Sequence, residues 1–295
     1  MVNNLDSFRD LYPYKSIFFD LNPYKLHYLD EGEGEVLLFL HGNPTWSFYY
    51  RGLIETFQDR YRCIALDHIG CGLSDKPQDY KYTLSTHIDN LEKLVDFLGL
   101  KNITLVLHDW GGAIGMGLAV RRPELVKRLV LFNTAAFLSL EIPFRIRLCR
   151  IPLLGKIAIQ YFNLFVRGVL RFGLKSRKQL DKNIRNGYLA PYDTVKNRVA
   201  NLKFVQDIPM NPSIPSYFVM KDIENNLKQF DELPVLIIWG SMDFCFNINF
   251  LNKWREVFPC AEVHEICNAG HLVLEDAIDE IIPHIEVFLK NNTTI

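Results

Sequence analysis

The side chain with the clearest chemical potential in this chain of 295 residues is the carboxylate of Asp109. It follows residues 103–107, a β-branched and aliphatic run typical of a strand that is buried on both faces of a parallel sheet. Gly111 and Gly112 end this run, and the small residues after them favour a helix packed close to the strand. A strand, a sharp turn and a helix in this order predict an elbow that lifts Asp109 clear of the sheet. A carboxylate held there could act as a nucleophile on carbon.

Two later residues fit the needs of such a nucleophile. Asp243 follows the strand predicted for residues 235–239, and His271 lies in the loop after the last predicted strand. The order nucleophile, acid, histidine predicts a triad in which Asp243 orients His271 and His271 activates water. A rival acid would have to come directly after the strand predicted for residues 126–132, where the residue is Asn133.

The sequence predicts eight strands, which would hold these residues in place. The short apolar runs that predict them cover residues 17–21, 25–29, 36–40, 61–66, 103–107, 126–132, 235–239 and 263–266. Alternation of strand and helix patterns predicts right-handed βαβ units on a parallel sheet. We therefore predict an α/β fold with a mostly parallel eight-stranded sheet flanked by helices. The nucleophile, acid and histidine would lie at its carboxyl edge, where open sheets bind ligands.

The alternation stops after the sixth predicted strand. Residues 135–210 show helical and loop patterns with no convincing strand, which predicts a helical cap inserted between two parts of the core, residues 1–134 and 211–295. The cap would cover the carboxyl edge of the sheet. Thr45 is expected to cap the helix that it begins, and Pro283 to kink the last helix or to mark the start of its regular part.

The composition argues against several classes of function. A net charge of −1, from 33 basic and 34 acidic residues, gives no general reason to expect nucleic acid binding. We recognise no secretory signal and no apolar stretch of about 20 residues that could span a bilayer. The six cysteines show no C-x-x-C pair and no metal-ligand spacing, which is expected of reduced cysteines in a cytoplasmic protein without a metal site.

Motifs along essentially the whole chain resemble those of the haloalkane dehalogenases, in the α/β-hydrolase superfamily. The motifs are His108-Asp109-Trp110-Gly111-Gly112, the HGNP turn at residues 41–44, the loop at residues 67–74, and Gly270-His271. Residues 204–209, 215–217 and 269–277 are most similar to the branch that includes the β-lactone decarboxylases of bacterial olefin biosynthesis. The resemblance implies the α/β-hydrolase fold and no cofactor, and it is weakest in the cap.

The resemblance also implies a covalent mechanism. Asp109 would displace a leaving group from an sp³ carbon to form an alkyl ester, and His271, oriented by Asp243, would activate the water that hydrolyses the ester. The indole N–H of Trp110 and the amide of Asn43 would hold a leaving halide, and the backbone N–H groups of both would form the oxyanion hole. The implied substrate is a small apolar molecule, a haloalkane or a β-lactone, and these residues do not distinguish the two.

Two other functions stay open at this point. Epoxide hydrolases share the aspartate nucleophile and its histidine–acid pair, and they use cap tyrosines to protonate the opening ring. The insert offers Tyr161, Tyr188 and Tyr192 for that role, although epoxide hydrolases are less similar to this chain at the HGNP turn. A non-catalytic binding protein on the same scaffold would normally lack a member of the triad, and here all three members are present.

The cap has an uneven charge distribution. Between residues 142 and 180 there is no acidic residue, and there are nine basic ones: Arg145, Arg147, Arg150, Lys156, Arg167, Arg171, Lys175, Arg177 and Lys178. An amphipathic cap with solvated cations over an apolar pocket would explain this pattern. The alternative is a surface that docks on an anionic membrane or on an acidic protein partner. The chain is expected to be a monomer or a dimer.

Overall fold

The computed structural model describes residues 8–175 and 180–293, and its centre is one eight-stranded sheet. The strands are β1 (Ile17–Asp20), β2 (Lys25–Glu31), β3 (Val36–Leu40), β4 (Arg62–Leu66), β5 (Ile103–Asp109), β6 (Val126–Thr134), β7 (Val235–Gly240) and β8 (Glu262–Ile266). They lie in the order β1-β2-β4-β3-β5-β6-β7-β8. Strand β2 runs antiparallel to β1 and β4, and all other neighbours are parallel. The predicted mostly parallel sheet is confirmed.

Every residue of the central strands β3, β5 and β7 is buried, because helices cover both faces of the sheet. Among the described residues the α-helices are α1 (Arg51–Phe57), α2 (Leu84–Phe97), α3 (Trp110–Arg121), α4 (Phe144–Cys149), α5 (Pro152–Gly155), α6 (Leu164–Phe172), α7 (Lys182–Leu189), α8 (Val199–Gln206), α9 (Tyr217–Asn226), α10 (Ile248–Val257) and α11 (Val273–Asn291). Successive residues of one strand point to opposite faces, so Leu38 packs in the apolar cluster with α2 and α3, and Leu37 in the cluster with α1 and α11.

Helices α4 to α8 lie between β6 and the return of the chain to the sheet at β7. The boundaries predicted for the cap, residues 135–210, enclose all five, and α9 follows them before β7. Residues of α4, α6 and α8 line one cavity together with Asp109 at the end of β5, so these three helices lie over the carboxyl edge of the sheet. Of the nine basic residues noted in the cap sequence, Arg177 and Lys178 lie outside the described residues.

Two local predictions are wrong. Thr45 does not cap α1, because its hydroxyl bonds with the backbone of Gly42 at 3.3 Å and a 3-10 turn, Ser47–Tyr50, precedes the helix. The break in α11 occurs at Ala277, with φ −149° and ψ 34°, and not at Pro283, which lies six residues further along.

Among the described residues, no single helix is long and apolar enough to cross a bilayer. One bent pair of helical segments passes the same test by length and composition, Pro152–Tyr161 followed by Leu164–Phe172, with an angle of 75° between them. Both segments belong to the cap, where a π-helical turn, Lys156–Tyr161, continues α5 towards α6.

Candidate active site

Asp109 lies at the junction of β5 and α3, where the backbone turns sharply. Its φ of 52° and ψ of −127° are disfavoured for a residue with a side chain. Two glycines permit the turn. A Cβ atom at Gly111 would lie 1.9 Å from the carbonyl oxygen of Leu40, and one at Gly112 would lie 1.9 Å from Oγ1 of Thr134. The backbone thus forms an elbow that presents the Asp109 carboxylate above the strand ends.

The two oxygens of the Asp109 carboxylate have different surroundings. Oδ1 accepts a hydrogen bond from the backbone N–H of Asn43 at 2.6 Å, and a Cβ atom at Gly42 would lie 1.9 Å from it. Oδ2 lies 3.8 Å from Nε2 of His271. Burial raises the pKa of the Asp109 carboxyl, although His271 and the backbone N–H groups of Asn43 and Trp110 favour the charged form. Oδ1 is therefore held, and Oδ2 is the oxygen turned towards the histidine.

His271 is buried and faces two carboxylates. Its Nδ1 lies 2.9 Å from Oδ2 of Asp243, and its Nε2 faces Asp109. The other oxygen of Asp243 accepts a hydrogen bond from the backbone N–H of Cys245 at 2.6 Å, which fixes the carboxylate. Burial alone would lower the pKa of His271, but attraction to Asp243 and Asp109 outweighs burial and raises it. An imidazole oriented through one nitrogen can take a proton from water on the other.

Hydrogen bonds anchor the loop that carries His271. Its carbonyl oxygen accepts a hydrogen bond from Nε2 of His108 at 2.9 Å. The carboxylate of Asp276 accepts from the backbone N–H of Gly270 at 2.8 Å and from that of Lys175 at 3.0 Å. Because Lys175 follows α6, Asp276 ties the histidine loop to the cap as well as to its own helix.

Asn43 and Trp110 both line the cavity that contains Asp109. Nδ2 of Asn43 donates a hydrogen bond to the carbonyl oxygen of Asn201 on α8 at 3.1 Å, which leaves its second amide hydrogen for another acceptor. The Trp110 ring packs against Phe204, with ring centroids 5.3 Å apart. The side chains of Asn43 and Trp110 thus border the same cavity as the Asp109 carboxylate. The Asn43 amide is also hydrogen-bonded to the cap.

The cavity above Asp109 has a volume of about 120 Å³ and mainly apolar walls. The walls include Ile146, Phe165, Val169 and Val205 from the cap helices, and Phe244, Cys245 and Phe246 from the loop after β7. The sequence contains one signal for the last three, which is that they directly follow Asp243. Phe246 also stacks on the His271 imidazole, with ring centroids 5.8 Å apart. Such walls suit a small apolar ligand and strengthen the electrostatic interactions of the carboxylate.

None of the three cap tyrosines considered for epoxide opening lines this cavity. Tyr161 is 57% exposed. The hydroxyl of Tyr188 donates to Oε1 of Glu275 at 2.5 Å, and that of Tyr192 to the carbonyl oxygen of Thr45 at 3.4 Å. Within the described part of the chain no tyrosine borders the cavity, so the acid that an opening epoxide needs is not beside Asp109.

Other polar residues near the strand ends have structural partners. The carboxylate of Asp67 accepts hydrogen bonds from the backbone N–H groups of Ser47 and Leu73, both at 2.8 Å. Asn133 donates to the carbonyl of Gly240 at 3.0 Å and accepts from its N–H at 2.8 Å, which joins the ends of β6 and β7. In residues 8–175 and 180–293, no group of three or more His, Cys, Asp or Glu is arranged to hold a metal ion.

Known proteins share the fold over most of this chain. A family model described as the alpha/beta hydrolase fold matches residues 35–278. A cis-3-alkyl-4-alkyloxetan-2-one decarboxylase of Shewanella oneidensis is 49% identical over 291 residues, which cover 97% of this chain and 91% of that protein. Haloalkane dehalogenase 2 of Mycobacterium tuberculosis is 33% identical over 276 residues, covering 92% and 93%. A crystal structure of a haloalkane dehalogenase from Agrobacterium tumefaciens matches with a TM-score of 0.85 and 25% identity, covering 95% and 97%.

Proposed function

The chain belongs to the α/β-hydrolase family, among the enzymes that resemble haloalkane dehalogenases, and we propose from this premise that it decarboxylates a 3,4-dialkyl oxetan-2-one through Asp109. The main support is the Asp109 carboxylate. Asp109 lines a small apolar cavity, its Oδ2 faces His271, and its Oδ1 is held by a backbone N–H. The identity of 49% to a decarboxylase of this name, over nearly the whole chain, supports the substrate class.

The proposed reaction begins with attack of Oδ2 on C4 of the four-membered ring. The C4–O1 bond breaks, and the ring oxygen leaves as part of a carboxylate that can accept hydrogen bonds from Trp110 and Asn43. The alkyl ester then collapses. Its C2–C3 bond breaks to release CO₂, the C3=C4 double bond forms, and the bond between C4 and Asp109 breaks. The aspartate is regenerated and no water is consumed.

Haloalkane hydrolysis is the second candidate, because the same residues support it. Oδ2 would displace the halide, and the indole of Trp110 and the second amide hydrogen of Asn43 would stabilise the departing anion. The ester then requires water, from which Nε2 of His271 would take a proton. Attack on Cγ of Asp109 would place negative charge on Oδ1, against the backbone N–H of Asn43. The identity of 33% to a haloalkane dehalogenase supports this alternative.

The two reactions differ in their use of water, and this difference provides a test. The purified enzyme is given a cis-3,4-dialkyl oxetan-2-one or a bromoalkane in water enriched in ¹⁸O. We expect alkene and CO₂ from the oxetanone, with no label in Asp109. Repeated bromoalkane turnover would label Asp109, since the oxygen of water adds to its carboxyl carbon. The peptide that contains Asp243 serves as the unlabelled control in mass spectrometry. Bromide release without any alkene from the oxetanone would reject the first candidate in favour of the second.

Trp110→Phe is expected to slow formation of the ester by about 10²-fold, because it removes the indole N–H and keeps the ring and the backbone N–H. Single-turnover alkylation by chloroalkanes and iodoalkanes measures the effect. The loss should be larger for chloride, which accepts hydrogen bonds more strongly than iodide. Equal rates in the parent and the variant would remove the Trp110 side chain from leaving-group stabilisation.

We also infer a cytoplasmic location and no requirement for a cofactor. All six cysteines lie in the described part of the chain and all are free, as expected where thiols stay reduced. Each step of the proposed reaction balances without a metal, a redox partner or a co-substrate.

A further inference from the structure

The outer side of the cap carries an open apolar groove bordered by cations. Helices α4, α5 and α6 contribute to its walls, and its volume is about 790 Å³. We propose that this side of the cap docks on the surface of an anionic lipid bilayer. We call it the docking face and define it by six residues that line the groove: Phe144, Arg145, Leu154, Leu164, Arg171 and Phe172.

Large apolar side chains of the docking face are exposed. Phe144, Leu164 and Phe172 have exposed fractions of 70%, 56% and 53%. Helix α6 is buried on its other side, where Val166 and Val169 pack into the apolar cluster beneath the cap. An apolar patch of this kind, bordered by polar groups, marks a surface that contacts other molecules or a membrane.

The charge of this part of the cap has one sign. Residues 142–175 contain seven Lys or Arg and no Asp or Glu. The guanidinium of Arg145 lies 4.3 Å from the centroid of the Phe172 ring, so a cation and an aromatic ring are displayed together. Within the described chain, no ion pair joins a carboxylate to Arg145 or Arg171 at 4.0 Å or less. Both cations are therefore available to an anionic surface.

The combination of charge and apolar surface favours a bilayer over an acidic protein. Helix α6 places Leu164, Arg171 and Phe172 outward, the pairing of basic and large apolar side chains that is typical of helices lying in a membrane interface. An acidic protein would need the cations but not a wide apolar groove between them. Cytoplasmic leaflets supply both anionic headgroups and an apolar interior.

The docking face adjoins the catalytic cavity. Pro143, Ile146, Phe165, Val169 and Phe244 line both the groove and the cavity that contains Asp109. A dialkyl oxetanone and the alkene formed from it would partition into lipid, so docking would bring the catalytic cavity close to the membrane in which the substrate dissolves. The delivery of substrate from the membrane rests on the proposed function, whereas docking on the bilayer is tested by vesicle binding alone.

Vesicle flotation with the full chain tests the proposal. Vesicles of phosphatidylcholine are compared with vesicles that contain about one third phosphatidylglycerol, at low and at high ionic strength. We expect binding to the anionic vesicles at low ionic strength and its loss in high salt. Arg145→Gln combined with Arg171→Gln should weaken partitioning roughly 30-fold, the effect of two cations near an anionic surface. Phe144→Ser should weaken it about tenfold through lost apolar insertion.

Matched control variants lie near the amino ends of the parallel strands, away from the cap, where α2 ends and β5 begins. Lys93→Gln combined with Lys101→Gln removes two exposed cations there, and Phe97→Ser removes a phenylalanine that is 62% exposed. These variants should bind vesicles as the parent does. Thermal unfolding of every variant checks that the fold persists, and Leu164→Ser replaces Phe144→Ser if that variant does not fold.

Several results would overturn the proposal. One is absence of flotation with anionic vesicles, and another is equal weakening by the control variants. A third is a dimer in size-exclusion chromatography that Phe144→Ser converts to a monomer, which would place a second copy of the chain on the docking face. If the double arginine variant loses binding and Phe144→Ser does not, the contact depends on charge alone, as on an acidic protein, and bilayer docking is rejected.

Discussion

His271→Phe is expected to react once with a bromoalkane and then stop. The carboxylate of Asp109 can displace bromide without any proton transfer, so formation of the ester does not need the imidazole. Hydrolysis of the ester does need a base, and Nε2 of His271 is the nitrogen that faces Oδ2 of Asp109, at 3.8 Å. Intact mass spectrometry should find one added alkyl group per protein molecule, and peptide mapping should locate that group on Asp109.

Bromide release provides a second measure of the same variant. Where the parent hydrolyses the bromoalkane, as the second candidate function requires, it should release bromide continuously, whereas His271→Phe should release a burst equal to the amount of enzyme. His264→Phe is the matched control, because His264 lies on β8 and pairs with Glu262 outside the cavity. Continuous turnover by His271→Phe, or an alkyl group on any residue other than Asp109, would contradict the mechanism.

Asp109→Ala is expected to lower the rates of both proposed reactions by about 10⁴-fold or more, because the nucleophilic oxygen is lost. Among the described residues, no other carboxylate is placed to replace it. Asp243 is held by His271 and Cys245, and Glu141 at the cavity wall accepts hydrogen bonds from Asn247 and Asn249. Alkene formation from the oxetanone and bromide release from a bromoalkane are measured, and mass spectrometry should find no adduct.

Thermal unfolding distinguishes loss of the nucleophile from loss of the fold. The Asp109 carboxyl is buried, and burial raises its pKa, so the site holds a charge at a cost in stability. Asp109→Ala should therefore unfold at the same temperature as the parent or higher, and Asp109→Asn, which keeps an acceptor for the Asn43 N–H, should do the same. A marked fall in unfolding temperature in both variants would assign Asp109 a structural role.

The reacting groups can be predicted from the sequence because each lies at a recognisable position relative to a predicted strand. Asp109 sits where a buried strand meets two glycines, and the structure shows why no side chain fits at Gly111 or Gly112. Asp243 and His271 follow parallel strands, whose carboxyl ends must meet at one edge of the sheet. Knowledge of the strands is therefore enough to bring these three side chains close together.

The walls of the site are not predictable in this way, because they depend on how the cap helices pack. Tyr188 and Tyr192 lie in the cap sequence as candidates for proton donation, and only the tertiary structure shows that Glu275 and Thr45 hold their hydroxyls outside the cavity. The bend of α11 likewise lies at Ala277 and not at Pro283, and no helix-breaking residue type in the sequence marks that position.

The reacting groups and the cap come from different stretches of the chain. The former follow β3, β5, β7 and β8, whereas the cap helices give the cavity hydrocarbon walls, with the Asn201 carbonyl as a polar link to Asn43. Substitutions within residues 135–210 that keep the links through Asn201 and Lys175 can therefore reshape the cavity without displacing the atoms that make and break bonds. In a protein of this architecture, a change of substrate can arise from mutations confined to one contiguous segment of the gene. The same segment, grafted from a relative, is the natural unit of exchange for redirecting the enzyme by engineering.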